Sequence, residues 1–139
     1  MGDCPNDTMT YRVLIADDER YTVEMVRFAF DDDKYEVDIV TDGSHALASL
    51  MNKDYHVLAI DMNMPGMDGL SAIGHIRKIN PVISIFIMTG APDSDKVKEA
   101  VEKYGVYDVM SKPFDLDKFI NCVDRGIELR DQKKSASSN

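Results

Sequence analysis

Short apolar runs alternate with longer stretches in which apolar residues recur every three or four positions. Val13-Leu14-Ile15-Ala16 and Val57-Leu58-Ala59-Ile60 are uninterrupted and of strand length, a pattern consistent with strands covered on both faces. The pattern predicts strands over 12–16, 35–40, 56–60, 83–88 and 107–111. Between and after them it predicts helices over 20–30, 44–52, 70–79, 93–104 and 115–130. The fourth helix shows the signature best, with apolar residues at 97, 100, 101 and 104 and Gly105 placed to cap it. Strands alternating with helices predict an α/β fold: a five-stranded parallel sheet with right-handed crossovers and helices on both faces.

The 139 residues suffice for one domain with a proper core. The expected division is a polar leader over 1–10, a folded domain over 11–130, and a disordered tail or the start of a linker over 131–139. The net charge of −9 argues against a nucleic-acid-binding face, which would need a basic patch. No run approaches the ~20 apolar residues of a membrane span, and the leader lacks an apolar signal core. A cytoplasmic protein with no membrane contact is expected, and its Cys4 and Cys122 are expected as free thiols.

The candidate chemistry sits where the strands end. Both uninterrupted runs close on carboxylates, Asp17-Asp18 after the first and Asp61 after the second. In open α/β sheets the C-terminal edge is where ligands bind. Clustered carboxylates repel one another and favour a hard divalent cation. The fourth strand ends in Thr89-Gly90 and the fifth in Lys112-Pro113-Phe114, which bring a hydroxyl and an ammonium to the same edge. An Asp beside a cation, with Lys and Thr to bind oxygens, is what phosphoryl transfer to a carboxylate requires.

Taken singly, each residue has a plainer reading. Acidic residues favour helix N-termini, Asp61 precedes a Pro-Gly loop, and lone lysines and loop hydroxyls are common at surfaces. Their joint occurrence at one edge favours a site. Asp31-Asp32-Asp33-Lys34 reads as a solvated loop, since it lacks the spaced ligands and Gly of a calcium loop. His45, His56 and His75 show no metal-ligand spacing. The nine Met residues read as core and loop filler, with Met62, Met64 and Met67 placed to line the rim of the site.

In Asp17-Asp18-Glu19, Asp61 with Met64-Pro65-Gly66-Met67-Asp68-Gly69, Thr89, and Lys112-Pro113-Phe114, the chain resembles the receiver domain of two-component response regulators over roughly 11–130. The resemblance implies the flavodoxin-like strand order 2-1-3-4-5. It makes Asp61 the acceptor of a phosphoryl group from a histidine. It implies Mg²⁺ or Mn²⁺ held by Asp17 or Asp18, Asp61 and the backbone carbonyl of Asn63, with Asp18 matching the more direct ligand. Lys112 would pair with Asp61 and then with the phosphoryl oxygens, and Thr89 would move to bind one of them. A cis bond before Pro113 would help aim the lysine.

The implied partners are a histidine kinase or histidine phosphotransfer protein and, downstream, a target protein or covalently linked output domain. A phosphorylation-dependent homodimer through the fourth and fifth elements is a further expectation. Two departures stand out. Val109 occupies a position usually aromatic, and Tyr107 is expected on the same strand face, while Gly90 follows the threonine where alanine is usual. The resemblance implies a signalling switch that catalyses its own phosphorylation and dephosphorylation. The alternatives are a metal-dependent phosphatase, disfavoured because Asn63 stands where one class has its acid/base Asp, and a degenerate receiver that binds proteins independently of phosphorylation.

Overall fold

A helix after each strand returns the chain to the same end of the sheet, so successive strands can pair only in parallel. The computed structural model describes residues 10–30, 33–64 and 66–137. Its elements are β1 (Tyr11–Ala16), α1 (Arg20–Ala29), β2 (Tyr35–Val40), α2 (Gly43–Asn52), β3 (Val57–Asp61), α3 (Gly69–Ile79), β4 (Ser84–Thr89), α4 (Asp95–Tyr104), β5 (Asp108–Ser111) and α5 (Leu116–Ser137). The strands form one parallel sheet in the order β2-β1-β3-β4-β5, the flavodoxin-like arrangement.

The period of two in each strand sorts its side chains between two layers. Leu14, Leu58, Ile60, Ile85 and Ile87 face the layer built from α2, α3 and α4, where Leu50, Ile73, Ile76 and Val97 meet them. Val13, Ile15, Val57, Phe86 and Met88 face α1 and α5, against Val26, Phe119, Val123 and Ile127. Every residue of β3 and β4 is buried, whereas no residue of β2 or β5 is. At about 1.5–3 kcal/mol for each fully buried large aliphatic side chain, the central strands hold the domain together.

The helix starts are set by side-chain caps. Asp42 accepts from the His45 amide, Asp68 from Ser71 and Ser94 from Val97. Ser94 explains why α4 begins at Asp95 and not at 93. Gly105, at φ 66°, ends the same helix. Arg77 binds the next stretch of chain together: its guanidinium donates to the carbonyls of Ile83 and Tyr104, each at 2.6 Å.

Three expectations are corrected. The polar segment after Arg130 continues α5 as far as Ser137. Arg130 and Lys134, one turn apart, both pair with Asp54, which gives this stretch a helical face to follow. Met62 and Met64 are buried in the core, with Met67 packed against it, so they do not line a rim. Tyr107 does not share a face with Val109. Pairing of β5 begins at Asp108, and the alternation breaks there, so that Tyr107 joins the α1/α5 layer and Val109 the other. Cys122 is a buried free thiol, while Cys4, Asp31, Asp32 and Pro65 lie outside the described residues. Among the described residues no helix is long and apolar enough to cross a membrane.

One close approach ties the scaffold to the loop after β3. A Cβ on Gly69 would stand 2.7 Å from the Met62 Cα and 3.0 Å from the Asp61 carbonyl oxygen. Backbone cannot yield as a flexible side chain can. Gly69→Ala is expected to destabilise the domain by about 1–3 kcal/mol, read as a lower urea midpoint at unchanged slope, despite alanine's higher helix propensity.

Candidate functional site

The order of the sheet reverses direction between β1 and β3. The chain leaves β1 for α1 on one face and leaves β3 for α3 on the other, so the two exits diverge and leave a crevice. The register sets Ala16 beside Ile60, which brings the next residues, Asp17 and Asp61, to the mouth of that crevice. Asp61 pairs with Met88 one residue short of Thr89, and Thr89 pairs with Ser111 one residue short of Lys112. Four strand ends thus deliver the predicted groups to one edge.

At that edge the Lys112 ammonium lies 2.8 Å from Asp17 Oδ2 and 3.1 Å from Asp61 Oδ2, and it also contacts Glu19 Oε1. Each aspartate uses its second oxygen to shape its own turn. Asp17 Oδ1 accepts from the Glu19 amide at 2.9 Å, and Asp61 Oδ1 accepts from the Asn63 amide at 3.0 Å. Thr89 is buried, and its Oγ1 accepts from the Ala91 amide at 3.0 Å, so it currently holds its own loop. The Lys112–Pro113 bond is cis.

The electrostatics follow from burial. Desolvation raises the Asp61 pKa above its ordinary value, as does the neighbouring Asp17, against the opposing pull of the Asn63 amide and Lys112. Burial alone would lower the Lys112 pKa, but its hydrogen bonds to Asp17, Glu19 and Asp61 outweigh this and raise it. The site is therefore a cation enclosed by more negative charge than it can neutralise.

Asp17, Glu19 and Asp61 each offer a carboxylate oxygen, all within 4.8 Å of one another. A set of hard oxygen donors with surplus negative charge suits Mg²⁺ or Mn²⁺. Asp18, the expected more direct ligand, is exposed and is not part of this cluster. The turn that Asp17 closes onto the Glu19 amide directs alternate side chains, 17 and 19, to the edge. Glu19 is the functional candidate to which sequence reasoning assigned no role, although it stands within the acidic motif. Its spacing of two from Asp17 was the available signal.

The profile of the response regulator receiver domain matches residues 13–124. This chain belongs to that family. It is a receiver domain of the two-component response regulators, a class of signalling switches. It is 39% identical over 85 residues to the DNA-binding transcriptional regulator NtrC of Salmonella typhimurium, a match covering 61% of this chain and 18% of that protein. It is 32% identical over 127 residues to the regulatory protein AtoC of Escherichia coli, covering 91% of this chain and 27% of that protein. The receiver chain thus spans less than a third of either relative. NtrX of Brucella abortus superposes with a TM-score of 0.82 at 26% identity, over 93% of this chain and 30% of that one. The signal receiver domain of an HD domain-containing protein from Pseudomonas fluorescens shares the fold, with a TM-score of 0.85 at 19% identity over 91% and 93% of the two chains.

A raised carboxyl pKa means that ionised Asp61 opposes folding at neutral pH. The opposition is absent below its unfolded value of about 3.8 and develops as pH rises through the folded value. Asp61→Asn is expected to raise Tm by a few degrees at pH 7, and the gain should shrink as pH is lowered. Thermal scans of both proteins from pH 7 downward check this, and a lower Tm for the variant would contradict the charge balance described.

Proposed function

We propose that this receiver accepts a phosphoryl group on Asp61 from a phosphohistidine. An Asp61 oxygen attacks phosphorus, the P–N bond to the imidazole breaks, and the imidazole nitrogen keeps the bonding pair. The observation that carries the reading is the Lys112 ammonium held between Asp17 and Asp61 at the switch point of the sheet. An aspartate alone is a weak nucleophile toward an anionic phosphoryl group, so charge at this edge must be balanced for the reaction to proceed.

Mg²⁺ or Mn²⁺, when bound, would supply that balance, held by Asp17 or Asp18, Asp61 and the Asn63 carbonyl, while Glu19 stays with Lys112. Lys112 turns from the carboxylate to the phosphoryl oxygens. Thr89, whose Oγ1 now accepts from the Ala91 amide, turns to donate its O–H to a phosphoryl oxygen, and that turn moves the β4–α4 loop. The phosphoryl group adds charge at one point and so shifts a two-state equilibrium of the neighbouring surface. Loss of the phosphoryl group is accelerated by the same residues, and the protein catalyses no reaction of another substrate.

The donor is a histidine kinase or a histidine phosphotransfer protein. The recipient of the signal is a partner or a linked output domain reached through α4, β5 and α5, where a phosphorylation-dependent homodimer would also form. In this receiver the aromatic part of the switch is missing. Tyr107 cannot replace it in this arrangement, because its hydroxyl donates to the Cys122 carbonyl at 2.6 Å and its ring packs edge-on against Phe86. Coupling between Thr89 and β5 then runs through Val109 and the loop backbone.

Intact mass after incubation with Mg²⁺ and acetyl phosphate tests the assignment. One added phosphoryl group is expected in the wild type, with none in Asp61→Asn and none after chelation of the metal. Equal labelling of the two proteins would refute Asp61 as the acceptor. No labelling of either, together with no transfer from any of a panel of phosphorylated histidine kinases, would point to a binding module.

A further inference from the structure

An ammonium has three N–H donors, and all the donors of Lys112 are engaged by carboxylates: Asp17, Glu19 and Asp61. A phosphoryl oxygen can bind this lysine only if one of those partners lets go. The three are not equally easy to release. Asp17 is fully buried, and parting it from Lys112 would leave a desolvated charge unpaired. Asp61 is the group being modified. Glu19 has a side chain 56% exposed, so water can solvate its carboxylate as it leaves.

From this arrangement we propose that Glu19 is a positioning residue that competes with the phosphoryl group for Lys112 and thereby shortens the phosphorylated state; the proposal rests on Asp61 being the acceptor. In the resting protein Glu19 completes the shell of the ammonium. In the phosphorylated protein it has lost that partner and faces a group carrying roughly −1.5 to −2 charges. Its backbone stays beside the site, because its amide is fixed to Asp17 Oδ1, so its charge remains near the phosphoryl group even when the side chain is solvated. Both effects favour the unmodified state. When water attacks phosphorus, an O–P bond forms and the P–O bond to Asp61 breaks. The electron pair returns to the Asp61 carboxylate, phosphate leaves, and Lys112 resumes its three contacts.

The plain alternative is an incidental surface ion pair. Such pairs are weak and screened by salt, so charge must be separated from shape in the test. The full chain is phosphorylated with acetyl phosphate at saturating Mg²⁺, the donor is removed, and loss of the phosphoryl mass is followed for wild type, Glu19→Gln and Glu19→Asp. Glu19→Gln is expected to hold the group roughly two- to fivefold longer than wild type, the range an exposed ion pair permits. Glu19→Asp, which keeps the charge, is expected to stay near wild type. The gap between wild type and Glu19→Gln should narrow at ~0.5 M salt, where the Debye length is only about 3–8 Å.

Equal lifetimes for wild type and Glu19→Gln would overturn the proposal while leaving the acceptor assignment intact. A Glu19→Asp protein as long-lived as Glu19→Gln would do the same, since shape and not charge would then be responsible. A wild type that takes up no phosphoryl group would overturn the acceptor assignment and this proposal with it.

Discussion

The Lys112 ammonium is what allows three carboxylates to occupy one edge of the sheet. Asp17 and Asp61 are both buried, and without a cation between them the exits of β1 and β3 would repel each other. Lys112 reduces that repulsion, but burial, with a smaller contribution from Asp17, leaves the Asp61 carboxyl harder to ionise than a free one. A site in this condition has a standing demand for further positive charge. A divalent cation would meet that demand. An anionic group arriving at this edge would meet a lysine whose three N–H donors are already directed at carboxylates.

The scaffold supplies the rigidity that such a site requires. The carboxylates and lysine stand at the ends of strands whose central members are buried on both faces, with few alternative packings open to them. The loops above the edge are braced in turn by local bonds. Asp61 holds Asn63, Asp17 holds Glu19, Asp68 caps α3, and Gly69 sits directly on the Met62 backbone. Thr89 differs: it is buried, and among the described residues its hydroxyl oxygen bonds a single loop amide. The site thus combines fixed charges with one group free to exchange partners.

The output side of the domain is less conventional than the acceptor side. Val109 is a small aliphatic packed toward α4, and the nearby Tyr107 is anchored to α5 on the opposite layer. A half-buried phenol whose hydroxyl already has a strong acceptor is a structural member, and desolvation raises its pKa.

The residue pattern alone sets the secondary-structure order, the parallel sheet and the edge at which the site lies. These are properties of periodicity and of where charge interrupts apolar runs, and both are written residue by residue. It also determined that Asp17, Asp61, Thr89 and Lys112 belong together, since each ends a different predicted strand. Folding in three dimensions brings Glu19 into the cluster while Asp18 faces solvent, because that choice depends on a turn closed by one side-chain hydrogen bond. It likewise decided the layer of Tyr107, where pairing starts one residue later than the apolar pattern suggests. The helical course beyond Arg130 depends on Asp54, far away in the chain. In each case the deciding partner is a contact or a ladder boundary, which local pattern cannot encode.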